Sequence, residues 1–409
     1  MGKKVLILTN SDRPELGHGK SRVSLFEDAG LETDIIYFQK RYDPETTNFI
    51  LDFYHPLSLR FLLFAVIRFL TWITIDKSCK FWYRGISYPA GRIILKRIKT
   101  KPDYIVISLF RGFLSSRTIR MLYEKTGATL VFNVPDQTLF TGGCVYPDDC
   151  TLYEQGCVGC KGCPRMRWIP AQVMRQREKY LKDIPFHVAV TRQDWLMARK
   201  VPFLRGKEFH IAVTCPHVPF YKSKMEARKR FGITDGDYVI LAGAANLEDK
   251  RKGIREMLCS LQLFAQTLTE DHPVTVLLLG NYNSRLVPDK RLKCITPGYV
   301  DMNDLYTAFY ACDVFASPSL YDSGPMMVNY AIACGRPVVS FPVGVALDLV
   351  KHKHTGWMAD FKDVDAFSHG LDYFYRLSSE ELEQVEHNCN ELMRHFARHP
   401  WFEFMLKDA

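Results

Sequence analysis

Four stretches of this chain carry residue types and spacings that can do chemistry. Residues 246–253 read NLEDKRKG and set Arg251 and Lys252 side by side, just after an apolar run. These two cations are expected to open the helix that follows, where the helix dipole opposes them. An anion held between them and the helix amides would relieve that conflict, and a solvated charged turn is the plain alternative. Residues 318–335 read PSLYDSGPMMVNYAIACG. Pro325 suits the first position of a helix, so Ser323 and Gly324 form the turn before it. The exposed amides of such a turn, running into Met326 and Met327, suit a phosphate. Asp322 lies just ahead, where a carboxylate can accept hydrogen bonds from sugar hydroxyls. The side chains of Met326, Met327, Val328, Ala331 and Ile332 read as the packed face of that helix.

A third stretch, 16–21, reads LGHGKS. Gly17 and Gly19 let the backbone approach a ligand, and Lys20 can meet a phosphate. A Walker A loop would need a glycine where Pro14 stands, which argues against an NTPase. The fourth stretch holds five of the twelve cysteines: Cys144, Cys150, Cys157, Cys160 and Cys163, spaced C-x5-C-x6-C-x2-C-x2-C. Thiolate sets with C-x2-C pairs hold zinc, iron–sulfur ligation is the alternative for the same donors, and reduced free thiols are the bland reading. The other seven cysteines lie mostly in apolar stretches and read as small core residues. Disulfides are not expected, because the chain shows no signal peptide and reads as cytoplasmic.

These stretches need a scaffold. Short continuous apolar runs at 4–8, 33–37, 104–108, 129–133, 187–191, 210–213, 238–242, 274–279, 314–316 and 338–340 alternate with amphipathic segments such as 117–124, 253–267 and 303–312. That pattern predicts an α/β fold with parallel sheets covered on both faces. Two series are present. The break falls at Cys215-Pro216-His217-Val218-Pro219, with 222–231 read as the helix that opens the second series. Domains 1–216 and 217–385 follow, and a C-terminal helix within 386–409 is expected to return to the first. In open parallel sheets, ligands bind beyond the carboxyl ends of the strands, which is where the first three stretches lie.

The 409 residues include 54 Lys and Arg against 45 Asp and Glu, a net charge of +9. All of the excess falls between Arg60 and Lys101, with ten cations against Asp76, and the remainder balances at 44 against 44. Within this segment, 57–75 reads LSLRFLLFAVIRFLTWITI, interrupted by Arg60 and Arg68. Lys77, Lys80, Phe81, Trp82, Tyr83 and Arg84 follow. Aromatic rings mixed with cations suit an anionic membrane surface, so segment 57–101 is expected to dock the protein on a membrane as a peripheral protein. A core helix with snorkelling arginines is the alternative. No run reaches about 18 uncharged apolar residues, so a spanning helix is not expected. No groove-reading motif marks nucleic acid as a partner.

Taken together, the strings in 133–367 resemble the family 4 glycosyltransferases of the GT-B fold, and especially the bacterial exopolysaccharide branch, such as colanic acid synthesis. The resemblance rests on Thr141-Gly142-Gly143-Cys144 with the cysteines after it and on Arg251-Lys252-Gly253. It continues through Asp313-Val314-Phe315 to Pro318-Ser319-Leu320, then Asp322-Ser323-Gly324-Pro325-Met326-Met327-Val328-Asn329, Cys334-Gly335-Arg336-Pro337-Val338-Val339 and Thr355-Gly356. It implies two Rossmann-like domains facing across a cleft, with a nucleotide-sugar donor held between them. It also implies a retaining sugar transfer to a lipid-linked or polysaccharide acceptor in surface glycan synthesis, at the inner membrane face. In that reading Arg251 and Lys252 neutralise the diphosphate and Asp322 binds sugar hydroxyls. The amides from Ser323 and Gly324 to Met326 and Met327 hold phosphate or sugar, and Gly17 and Gly19 face the donor. No catalytic metal is expected. The cysteines imply a structural zinc on Cys144, Cys150, Cys157 and Cys163, with Cys160 as the alternative to Cys163.

Two positions depart from the family pattern. Tyr330 stands where a second acidic residue normally binds the ribose, and Pro135-Asp136 replaces a His-Asp pair. Asp136 keeps the acidic member, and Asn133 or His18 could stand in for the histidine. A GT-B protein with altered or lost catalysis, serving as a binding or partner subunit, is the second reading, and a thiol-metal redox protein is a third.

Overall fold

The computed structural model describes residues 2–12, 19–74, 87–162, 166–219, 223–268, 273–281 and 289–407. Gly17, His18, Cys163 and the run from Lys77 to Arg84 therefore lie outside the described residues, as does the side chain of Lys20.

The chain divides into two compact units. The first comprises Met1–Val190, Asp194–Ala212 and Trp401–Ala409, and the second Thr191–Gln193 and Val213–Pro400. Only the last nine residues of the tail join the first unit. Residues 386–400, expected to return with them, remain in the second, because the long helix Ser379–Arg398 packs there. Its Glu386 pairs with the buried Arg336, and its Cys389 is fully buried.

The first unit is built on seven strands: β1 Lys4–Ser11, β2 Glu32–Lys40, β3 Phe49–Asp52, β4 Tyr104–Ile107, β5 Thr129–Asn133, β6 Phe186–Val190 and β7 Glu208–Ile211. They form one all-parallel sheet in the order β3-β2-β1-β4-β5-β6-β7. Alternation within the apolar runs explains why they are continuous. Leu6, Leu8, Ile105, Ile107, Leu130 and Phe132 face one core, while Val5, Ile7, Tyr104, Val106 and Val131 face another. The second face is closed by Phe26 of the helix Gly19–Asp28 and by Phe402 and Met405 of the C-terminal segment.

The second unit holds β8 Tyr238–Asn246, β9 Val274–Asn281, β10 Leu292–Gly298, β11 Val314–Ser317, β12 Val338–Ser340 and β13 Gly356–Met358. These too are all parallel, in the order β10-β9-β8-β11-β12-β13. The opening helix runs over Lys224–Arg230 and is anchored by a buried carboxylate. Asp313 accepts from Arg228 Nη2 at 2.9 Å and from the amide of Val239 at 2.7 Å, and it also pairs with Lys224.

The apolar stretch at 57–75 forms a helix, Leu59–Thr74. Phe64 packs edge-on against Phe38 and Phe53, and Ile67 lies against the core beside it. Much of the remaining surface of this helix is exposed and apolar, including Leu59, Leu62, Val66, Phe69 and Trp72. The core-helix alternative does not hold here, since Thr71 is the one fully buried residue among its described side chains. No described helix is long and apolar enough to cross a membrane.

Candidate active site

The site assembles from two loops of the second unit, one after β8 and one after β11. Beyond β8 the chain makes a single 3-10 turn, Lys250–Lys252, capped by Asp249, whose carboxylate accepts from the Arg251 amide at 3.1 Å. Gly253 then takes a left-handed conformation (φ 63°), and the helix Ile254–Ala265 starts only after it. Arg251 and Lys252 therefore do not open the helix, as the sequence suggested. They occupy a separate turn just before it, where Asp249 and Asp322 pair with them. Gly253 is required twice over. Its φ suits glycine, and a Cβ there would lie 1.8 Å from the carbonyl oxygen of Pro318.

That close approach joins the two loops. The amides of Leu320 and Tyr321 both donate to the Arg251 carbonyl, at 2.7 and 3.3 Å. The side chains are paired as well. Lys252 Nζ lies 2.5 Å from Asp322 Oδ2, and Arg251 Nη2 lies 2.5 Å from Asp249 Oδ2. Asp322 is 8% exposed, and its other oxygen accepts from the amide of Gly324 at 3.2 Å.

Pro325 is the cap of the helix Met326–Ala333, one place earlier than the expected first helical position. Val328 bonds back to Pro325 O at 2.9 Å. The amides of Met326 and Met327 have no carbonyl one turn back, so they are the open donors of this helix end. A Cβ on Gly324 would meet nothing within 4 Å, which leaves room beside them. The Ser323 hydroxyl is buried at 1% exposure and has no hydrogen-bond partner among the described residues, and neither does Asn329 Oδ1. Buried polar atoms left without partners are costly, and a bound polar ligand would satisfy them. Tyr330 sits deeper. It is 5% exposed, packed edge-on against Tyr306 at 5.6 Å and tilted against Phe309 at 6.1 Å.

Asp136 and the Thr141-Gly142-Gly143-Cys144 string lie in the first unit. Asp136 caps the short 3-10 turn Gln137–Leu139 through the Thr138 amide at 2.9 Å, and it also accepts from the Thr138 hydroxyl. Its second oxygen is 3.6 Å from Arg111 Nη1. Gly142 is pinned because a Cβ would come within 2.5 Å of Pro170 O. Thr138 and Gly143 border a cavity of about 450 Å³ whose other walls include Phe110, Arg111, Ser115, Trp168 and Gln172. No local motif marks this cavity, because its walls come from separate elements. This cavity belongs to the first unit and the Gly324-Pro325 loop to the second. Gly19, the described glycine of the 16–21 stretch, begins the helix Gly19–Asp28.

Four of the five clustered cysteines lie among the described residues. Cys150 is exposed, Cys144 half-buried, and Cys157 and Cys160 buried. Among the described residues no three of these sulfurs lie within 4.8 Å of one another. Cys157 Sγ instead accepts from the amide of Gly142 at 3.2 Å, and burial pushes its thiol up to about 11. A tetrahedral thiolate set needs deprotonated sulfurs gathered around one point. Cys144, Cys150 and Cys157 of the expected set are described, and Cys163 lies outside the described residues.

Two all-parallel Rossmann-like sheets in one chain define the GT-B class, and solved structures of that class align over nearly the whole length. They include a sucrose-phosphate synthase from Thermosynechococcus elongatus (14% identity, TM-score 0.63, 99% of this chain and 97% of that one). A UDP-forming trehalose-phosphate synthase from Burkholderia xenovorans also aligns (12% identity, TM-score 0.61, 100% and 98%). So does Alr3699/HepE of Anabaena, solved in complex with UDP-glucose (14% identity, TM-score 0.52, 96% and 94%). At these identities the likeness establishes the fold. Residues 223–391, all within the second unit, match the family model described as glycosyl transferases group 1. A curated relative, the uncharacterized glycosyltransferase MJ1607 of Methanocaldococcus jannaschii, is 24% identical over 160 residues. That match covers 37% of this chain and 39% of the relative.

Proposed function

We propose that this protein is a retaining glycosyltransferase that moves a sugar from a nucleotide-sugar donor to a lipid-linked or polysaccharide acceptor in surface glycan synthesis. One observation carries the reading: in a group 1 domain, Lys252 and Asp322 meet at 2.5 Å beside the unsatisfied Ser323 hydroxyl and an open helix end. The donor diphosphate competes with Asp249 and Asp322 for Arg251 and Lys252. The amides of Met326 and Met327 and the Ser323 hydroxyl take its remaining oxygens. Asp322, released from Lys252, turns to the sugar hydroxyls. In the transfer, the bond from the anomeric carbon to the diphosphate oxygen breaks and a bond to the acceptor oxygen forms on the same face. The departing diphosphate takes the acceptor proton, so no separate protein base is required. Cations already in place where negative charge builds lower the barrier without having to reorganise. A UDP-sugar is the first donor to test, because the Anabaena structure with the same fold holds UDP-glucose.

The helix Leu59–Thr74 supports docking on a membrane surface. It packs through Phe64 and Ile67 and presents Leu59, Leu62, Val66, Phe69 and Trp72 outward, with the segment's surplus cations nearby in the sequence. Apolar side chains inserted at headgroup depth and cations over anionic lipid would hold a peripheral enzyme beside a lipid-linked acceptor.

The deciding experiment titrates candidate nucleotide-sugars by calorimetry and follows nucleoside diphosphate release with lipid acceptors. Binding with release supports the enzyme, and failure to bind any donor removes it. Binding without release would favour the second reading, a donor-binding or partner subunit. Tyr330 motivates that reading, since the position that would carry a ribose-binding carboxylate is packed into an aromatic core.

A further inference from the structure

A cluster of potential metal ligands lies in the first unit, apart from every residue discussed above. β6 and β7 pair in parallel, with His187 opposite Glu208 and Ala189 opposite His210. His187 Nδ1 is 2.9 Å from His210 Nε2 and 3.3 Å from Glu208 Oε2. The three ligand atoms all lie within 4.8 Å of one another, and no other set of three His, Cys, Asp or Glu side chains does so among the described residues. Phe404 of the C-terminal segment lies flat on both imidazoles, at 4.2 Å from His187 and 4.3 Å from His210. Glu208 stays open to solvent, with 74% of its side chain exposed.

Zinc binds imidazole nitrogen and carboxylate oxygen at about 2.0–2.2 Å, which sets tetrahedral ligands roughly 3.3 Å apart. The two separations from His187, 2.9 and 3.3 Å, are near that, and the third is within 4.8 Å. Metal binding also needs neutral imidazoles. We propose that His187, Glu208 and His210 bind a divalent transition metal of the zinc type, with a fourth position open to water, and so clamp the edge strand β7 to β6 beneath the C-terminal segment. Without a metal, the two imidazoles share one hydrogen bond.

The full chain, reduced and stripped with a chelator, is titrated with Co²⁺. The expected result is visible d–d absorption without a thiolate charge-transfer band, displaced by Zn²⁺ and lost in His187→Gln and His210→Gln. Zn²⁺ should raise the Tm of the parent protein and leave both variants unmoved. Glu208→Gln, at an exposed position that leaves folding intact, should weaken Co²⁺ binding roughly tenfold or more. The proposal is overturned if no d–d bands appear, or if they persist in the histidine variants. Where those variants fail to fold, unchanged Co²⁺ affinity in Glu208→Gln overturns it alone.

Discussion

Lys252 and Asp322, separated by 70 residues, meet at 2.5 Å across two loops that are also joined through the backbone. The cation set aside for an anion is thus already neutralised, and ligand binding becomes an exchange of partners. This predicts opposite effects for the two halves of the pair. Asp322→Asn frees Lys252 and should leave UDP binding equal or tighter, while sugar-dependent turnover falls at least about a hundredfold. Lys252→Ala removes the phosphate contact and should weaken UDP about tenfold or more, near 1.4 kcal/mol. Calorimetry with UDP and turnover with the UDP-sugar separate the two. Parallel losses of UDP affinity in both variants would show that the pair is structural.

Arg251 faces Asp249 in the same way, and Arg251→Ala should also weaken the donor. Unchanged donor affinity in that variant would remove the turn from the phosphate site.

Gly253→Ala tests the backbone junction. The left-handed φ of 63° and the 1.8 Å approach of Pro318 O leave no place for a methyl group. A non-glycine residue held in that conformation costs of order 1–3 kcal/mol before any clash. The variant should unfold at lower temperature and bind UDP more weakly, since the loops must part. A variant with full stability would mean that the two loops are not held together as described.

Much of this scaffold was legible in the sequence, for a physical reason. Every central strand is buried on both faces, so runs such as Val5–Leu8 within β1 read as unbroken apolar stretches. The three strands that escaped notice are all at sheet edges: β3, β10 and β13. β3 and β13 are only four and three residues long, and β10 is mostly solvated and carries Lys293 and Pro297. The loops of the site were legible as motifs, through Arg251-Lys252-Gly253 and Asp322-Ser323-Gly324-Pro325. Their pairing was not, because no local pattern encodes a contact across 70 residues. The same limit hid the cavity beside Arg111 and Trp168, and the meeting of His187 with His210.

Asp313 supports the second unit from below the site. It serves Lys224, Arg228 and the Val239 amide at once, and Arg228 is 5% exposed. Asp313→Ala strands a buried guanidinium and an amide, which should cost roughly 3–5 kcal/mol. Chemical denaturation should show the loss in the second unit, and a change below about 1 kcal/mol would contradict the burial of this network.

Thiol reactivity offers a separate check on the cysteine loop. Cys150 and Cys259 are exposed, whereas burial raises the Cys157 thiol to about 11. Only thiolate reacts with iodoacetamide, so at pH 8 Cys150 and Cys259 should be modified well before Cys157. Mass spectrometry of timed digests reads the order directly. Added Zn²⁺ should leave the rate at Cys150 unchanged, because no three of the described sulfurs lie within 4.8 Å of one another; strong protection of Cys150 by Zn²⁺ would show a metal site on this loop.

The exposed face of the helix Leu59–Thr74 makes the last prediction. Leu62, Phe69 and Trp72 are 61%, 59% and 60% exposed, so a charge placed there disturbs little of the folded core. Apolar burial is worth about 25 cal/mol per Å², and each large side chain withdrawn from lipid removes of order 1–2 kcal/mol. Leu62→Glu with Phe69→Glu should therefore reduce sedimentation with anionic vesicles at least tenfold, with Tm and UDP affinity kept. High salt should weaken the parent protein's binding by screening its cations, while neutral vesicles should bind it less at any salt. If the double variant sediments like the parent, this helix is not the docking surface. If neither protein sediments at low salt, the membrane reading fails while the donor site stands on its own measurements.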